Sequence, residues 1–147
     1  MRYIGFDRED EATEWAKKQI GLDGPTGFTR AVSSVDEDGN FLVVAVFSNF
    51  TKRNVDTHIV VSDHGRKLTP SGCKEMFNGT FHYIFTELGA VRTTGLVKAK
   101  NKAARRFDEH LGYKLEGVMR EAFEDDDLCV YGFLKKDFEE HRWYHGR

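Results

Sequence analysis

The sequence predicts an α/β fold: a mixed, mostly antiparallel sheet with one parallel crossover, flanked by about three to four helices. Three observations carry this reading. Apolar residues recur at helical spacing in segments bounded by capping residues and glycines. Short runs rich in Val, Ile, Phe and Thr lie between turn residues. The order of elements is helix, three strands, helix, strand, helix, two strands. A helix between the third and fourth strands makes that step a right-handed parallel crossover.

The first helix is expected from about Asp10 to Ile20, with Ala12, Trp15, Ala16 and Ile20 on one face. Arg30–Val35 and Phe41–Asn49 read as strands, joined by Glu37-Asp38-Gly39-Asn40. An Asp-Gly pair between apolar runs marks a hairpin, because glycine supplies the positive φ of a tight turn. Val55–Ser62 reads as a third strand. Asp56, His58, Val60 and Ser62 share one face, and Val55, Thr57, Ile59 and Val61 the other. Cys73, Met76, Phe77, Thr80, Phe81, Ile84, Phe85 and Leu88 then form one helical stripe. Thr69 suits the N-cap, Pro70 the first turn and Gly89 the exit. Val91–Lys100 reads as a strand. A helix follows, with Asn101 at its start, Ala104, Phe107 and Leu111 inward, and Gly112 at its end. Tyr113–Arg120 and Leu128–Leu134 read as the last strands, joined by the acidic loop Glu124–Asp127.

Composition bounds the function classes. A chain of 147 residues suits one domain, and 39% hydrophobic content builds its core. The formal charge of −2 gives no basic field for general nucleic-acid binding. No apolar stretch has the length of a membrane span. Cys73 and Cys129 read as reduced and mostly buried. The opening MRYIGFDRED lacks the apolar run of a signal peptide, so a cytoplasmic setting is expected, or a host cytoplasm if the source is viral. The histidines and cysteines do not fall in metal-ligand spacing, and no metal site is expected. The polar and aromatic stretch Glu139–Arg147 reads as a tail that packs on the body or on a partner, with a homodimer as one reading.

One segment resembles a known family. Asn101-Lys-Ala-Ala-Arg-Arg-Phe-Asp-Glu-His-Leu-Gly-Tyr-Lys-Leu-Glu-Gly-Val-Met-Arg120 is similar to the GNAT acetyltransferase pattern of an asparagine, a short helix, Leu-Gly-Phe, then Glu-Gly and an arginine. Val130-Tyr131-Gly132-Phe133-Leu134 resembles that family's last strand. The match is nearest the branch of ribosomal-protein N-terminal acetyltransferases and their phage relatives. It covers about the last third of the chain; the rest is supported by element order. The resemblance implies a V-splayed sheet that holds acetyl-CoA as co-substrate where two parallel strands part.

It also implies roles for residues. Val60, Val61 and Ser62 fall on the strand whose backbone pairs with the pantetheine arm. Arg66, Lys67, Ser71 and Gly72 fall on the loop and helix start that take the pyrophosphate, where free N–H groups attract anions. This loop reads Arg66-Lys-Leu-Thr-Pro-Ser-Gly72, whereas the family's has Gln or Arg, two residues, Gly, one residue, then Gly or Ala. Asn101 and Arg105 fall on the helix that faces the coenzyme; a plain N-cap and a solvated arginine are the alternatives.

Acetyl transfer to an amine needs a base, an oxyanion donor and a proton for the leaving thiolate. His58 and Asp56 are the base candidates, with Glu116 and Tyr131 placed near the acceptor side by the resemblance. Many family members donate the proton from a tyrosine on the last helix. Asp108 stands at that place here, and an ionised aspartate is a poor donor. Two readings follow: an acetyl-CoA-dependent N-acetyltransferase acting on an amine of a protein or small molecule, and a catalytically inactive protein of the same fold that serves structure or coenzyme binding.

Overall fold

A computed structural model describes residues 3–20, 30–63 and 70–144. Its elements are β1 (Tyr3–Gly5), α1 (Glu9–Ile20), β2 (Arg30–Val35), β3 (Phe41–Ser48), β4 (Asn54–Val61), α2 (Pro70–His82), β5 (Arg92–Lys98), α3 (Lys102–Leu111), β6 (Lys114–Phe123), β7 (Asp126–Leu134) and α4 (Lys135–Glu139). The strands form one seven-stranded sheet in the order β1-β2-β3-β4-β5-β7-β6. Among the described residues only the β4–β5 pair is parallel. The mixed, mostly antiparallel architecture expected from the element order is thus the one observed.

β3 is buried along its whole length, which explains its unbroken apolar run at the centre of the β2–β3–β4 arm. Its hairpin with β2 closes on Asp36, whose Oδ1 accepts from the N–H groups of Asp38 and Asn40, each at 2.9 Å, with Gly39 at φ 83°. The sheet separates two cores. On one face Ala12, Trp15 and Ala16 of α1 pack over Val44, Val46 and Val60. On the other, α2, α3 and α4 bury Phe77, Phe81, Leu111 and Phe138 against Phe47, Val55, Tyr131 and Phe133.

The long aromatic helix does not keep one pitch. After His82 it widens into a π turn, Tyr83–Glu87, in which the N–H of Leu88 donates to the carbonyl of Tyr83 at 2.8 Å. This turn buries Tyr83, Ile84 and Phe85 in succession, where a regular helix would turn one outward. The rings of Phe77, Phe81, Phe85 and Tyr113 all lie within 6.1 Å of the Phe133 ring, centre to centre. Phe133→Ala is therefore expected to cost about 3–5 kcal/mol in urea denaturation; a loss under about 1 kcal/mol would mean that this cluster repacks without a cavity.

β1 and α4 are additions to the predicted elements. Three residues are too few to show a strand period, and α4 is only five residues long. The acidic loop is also shorter than expected. Asp126 and Asp127 belong to β7, where their carboxylates accept from the backbone N–H groups of Lys100 and Glu121 at 2.9 and 2.8 Å. The tail packs on the body as far as Tyr144: Asn78 donates from Nδ2 to the Trp143 carbonyl at 2.7 Å, and the His141 ring lies 4.3 Å from that of Phe77. No described helix is long and apolar enough to cross a membrane.

Candidate functional site

The sheet opens in its middle. The parallel ladder joins Asn54, Val55 and Asp56 of β4 to Arg92, Thr93 and Thr94 of β5, and stops there. Beyond that point β4 stays paired with β3 as far as Val61, and β5 with β7 as far as Lys98. Each arm is intact while the two diverge. Residues 57–61 and 95–98 thus line a fork whose facing strand edges make no ladder with each other. Backbone amides at such an edge are suited to pair with an amide-containing ligand.

Buried hydroxyls pin the base of the fork on the α2–α3 side. Thr57 and Thr93 share a hydrogen bond of 2.6 Å between their side-chain oxygens, and Thr93 Oγ1 lies 2.8 Å from the Val55 carbonyl oxygen. Gly95 follows the last ladder pair, and its missing side chain lets α3 come close. A Cβ there would meet Asp108 Oδ2 at 3.2 Å and the Tyr113 ring at 3.3 Å. Asp108 is 8% exposed. Burial, with Glu109 adding to it, pushes its carboxyl up to about 7. Burial also drives the Tyr113 hydroxyl far upward, with the hydroxyls of Thr93 and Thr57 pulling the other way. Further along the same face is a cavity of about 100 Å³ between Ile59 and Val61 of β4, Met76 and Thr80 of α2, Phe107 of α3 and Trp143 of the tail. Its lining is almost entirely apolar, and the Thr80 hydroxyl is buried with no hydrogen-bond partner among the described residues.

The opposite side of the fork is polar. Arg92 holds Glu116 with two guanidinium nitrogens, at 2.8 and 3.3 Å, and donates to Thr94 Oγ1 and Asn54 Oδ1 at 3.1 and 3.2 Å. Asn54 and Asn49 in turn donate to the two oxygens of Asp56, at 3.1 and 2.8 Å. Glu116 occupies the bulge between Leu115 and Gly117, and its carboxylate folds over Gly132, where any Cβ would collide with it. His58 stands two residues beyond Asp56, opposite Val46. Burial pulls its imidazole below the ordinary value and Asp56 pulls the other way, so His58 is neutral near pH 7.

No protein-family model and no curated protein matches the sequence. Solved structures do match. A dodecameric spermidine N-acetyltransferase from Vibrio cholerae superposes with a TM-score of 0.63 at 20% identity, covering 89% of this chain and 77% of its own. An acetyltransferase of the GNAT family from Bacillus anthracis gives 0.58 at 16% identity, covering 84% and 72%. The fold is the GNAT fold. Likeness at these identities concerns backbone architecture, and function has to be argued from the site.

In this GNAT fold the predicted residues separate into groups. Asp56, His58 and Glu116 lie on the polar side of the fork, and hydrogen bonds through Asn54 and Arg92 join Asp56 to Glu116. Tyr131 is on the other face. Its hydroxyl donates to Glu109 Oε2 at 2.5 Å and accepts from Arg105 Nε at 3.0 Å, and Arg105 also reaches the Ala99 carbonyl. Asn101 caps α3 by accepting from the Ala104 N–H at 3.1 Å. Val61 borders the cavity, while Val60 packs against the α1 core. The Ser62 hydroxyl donates to the Phe41 carbonyl. Gly72 is buried in the first turn of α2; Arg66, Lys67 and the Ser71 side chain lie outside the described residues.

The structure adds Thr57, Thr93 and Tyr113 to the site and places Asp108 beside them. Asp108 also corrects the expectation of an ionised aspartate, because burial keeps a large share of this carboxyl protonated near pH 7. Besides the resemblance, the sequence held a second signal for Asp108. Asp108 lies four residues after Ala104, on the inward stripe of α3, where a charged side chain is unusual.

Proposed function

We propose that the protein is an acetyl-CoA-dependent N-acetyltransferase that transfers the acetyl group to an amine, working in the cytoplasm or a host cytoplasm. One observation carries the reading: the β4–β5 ladder stops after Asp56 and Thr94, leaving a fork with an apolar cavity on one side and a polar network on the other. A thioester arm of amides and methylenes fits the first side and the β4 edge. An amine suits the second, where Asp56 supplies negative charge beside the Arg92–Glu116 pair and His58 is neutral and able to take a proton. The acceptor class this supports is a small-molecule amine, in keeping with the spermidine N-acetyltransferases of the same fold. The helix-side groups Asn101 and Arg105, and the loop residues Arg66 and Lys67, are assigned to the coenzyme end.

The test is calorimetric titration with acetyl-CoA, with Arg66→Ala as a comparison, followed by a screen of polyamines, amino sugars and peptide N-termini. Micromolar binding that weakens roughly tenfold in the variant is expected, about the value of one charge-assisted phosphate contact. No binding at millimolar acetyl-CoA would remove the enzyme reading. A non-catalytic protein of the same fold is the second reading, favoured by the altered glycine spacing of Arg66–Gly72 and by Pro70, which removes one N–H donor.

A further inference from the structure

We propose that Trp143 is a lid: it covers the apolar cavity on the α2–α3 side of the fork and swings out when the arm of the coenzyme enters. The inference rests on the acetyltransferase reading for the identity of that arm. Three observations lead to it. The first is place. The cavity borders the fork, since Ile59 and Val61 belong to the stretch of β4 that has left the β5 ladder. Its apolar wall gives water few partners, so the space suits methylene groups. The second is size. A cavity of about 100 Å³ falls short of the roughly 300–1,000 Å³ of a site that encloses a drug-sized ligand. With Trp143 in place it takes only part of such an arm, so one wall has to give.

The third is which wall can give. β4 is held along β3, and the helices are held in the core, where Phe77, Phe81 and Leu111 are at most 6% exposed. Trp143 is the wall that the tail supplies. It is half-buried, and its ring meets those of Phe77 and His110 edge-on, 5.4 and 5.6 Å away centre to centre. Asn78 ties its carbonyl to α2. The other bonds stay within the tail: the Trp143 N–H donates to His141 Nδ1 at 3.0 Å, and the Tyr144 N–H to the His141 carbonyl at 2.9 Å. This turn is anchored on its far side, where the Tyr144 ring lies 4.9 Å from that of Phe138, a residue 2% exposed. The indole can thus leave the cavity by rotating its side chain while Phe138 and Tyr144 stay. That rotation breaks two edge-on ring contacts and no ladder hydrogen bond. Segments with so few buried contacts are the first to open.

The experiment uses the full chain and acetyl-CoA. The chain has two tryptophans, so Trp15→Phe leaves Trp143 as the sole indole reporter. Saturation with acetyl-CoA is expected to make its fluorescence more accessible to acrylamide. In calorimetry Trp143→Ala should bind acetyl-CoA about tenfold more tightly, the gain from removing a cover that is closed about nine-tenths of the time. An affinity that is unchanged or weaker in Trp143→Ala overturns the lid, because Trp143 would then be a fixed wall of the site. So does an indole that becomes less accessible on saturation. Failure of both wild type and Trp143→Ala to bind millimolar acetyl-CoA removes the acetyltransferase reading instead. The lid is then decided by an apolar dye, anilinonaphthalene sulfonate: tighter binding to Trp143→Ala than to wild type sustains a covered cavity, and equal binding overturns it.

Discussion

Replacing Asp108 with asparagine is expected to make the protein more stable above neutral pH and to flatten its stability between about pH 4 and pH 7. The sign follows from the direction of the shift. The Asp108 carboxyl is raised from 3.8 to about 7 in the folded state, so the folded chain binds this proton more tightly than the unfolded chain. Its contribution is fully present below the unfolded value and is lost as pH rises toward 7. Each unit of difference is worth about 1.4 kcal/mol, which makes the total loss roughly 4 kcal/mol. His58 acts the other way. Its imidazole is lowered by burial, so its contribution is present above the ordinary histidine value and is lost as pH falls below it. Urea midpoints of wild type and Asp108→Asn, taken every half unit from pH 4 to 9, separate the two. The curves should diverge steadily up to about pH 7 and then run parallel, and the variant should show the opposite tilt due to His58 and to His141, which burial also lowers. Curves that stay parallel throughout would show that Asp108 titrates as an exposed aspartate does.

Gly112→Ala is expected to destabilise the protein by about 3 kcal/mol, while Gly89→Ala costs only about 1 kcal/mol. Both glycines end helical segments with positive φ, at 113° and 78°, so an alanine is strained at either place. They differ in what a side chain would meet. Around Gly89 nothing lies within 4 Å, whereas at Gly112 a Cβ would approach the Phe133 ring at 2.9 Å. That ring is 1% exposed and enclosed by other aromatics, so it cannot move aside cheaply. The difference between the two variants measures the packing contribution separately from backbone strain. Equal losses would mean that the Phe133 cluster yields to a methyl group.

The element boundaries were legible where period and punctuation agreed. β2 runs over the expected Arg30–Val35, and α3 begins after Asn101 and stops before Gly112, because a cap and a left-handed glycine are local requirements. The alternation along β4 was equally readable: Val55 and Thr57 face one core and Val60 the other. The Phe77–Phe85 stripe was legible as a core helix but not as a π turn, since the change of pitch answers to the packing of Tyr83, Ile84 and Phe85 and leaves the spacing of apolar residues intact. The candidate site was legible in part. Asp56, His58 and Glu116 carry chemistry by residue type, but Asp56 and Glu116 are 60 residues apart in a chain of 147, and only the bulge at Glu116 and the guanidinium of Arg92 bring them into one network.

The sequence by itself determined the α/β class, the order of its principal elements and the hydrophobic faces that pair them, because each depends on the chemistry of residues a few positions apart. Tertiary structure alone decided where the β4–β5 ladder stops, that a cavity lies beside Ile59 and Val61, and that burial raises the Asp108 carboxyl to about 7. The last of these shows the reason. The acidity of a carboxyl depends on how much water and charge surround it, and for Asp108 those surroundings are set by Gly95 and Tyr113 on other elements as much as by its own helix.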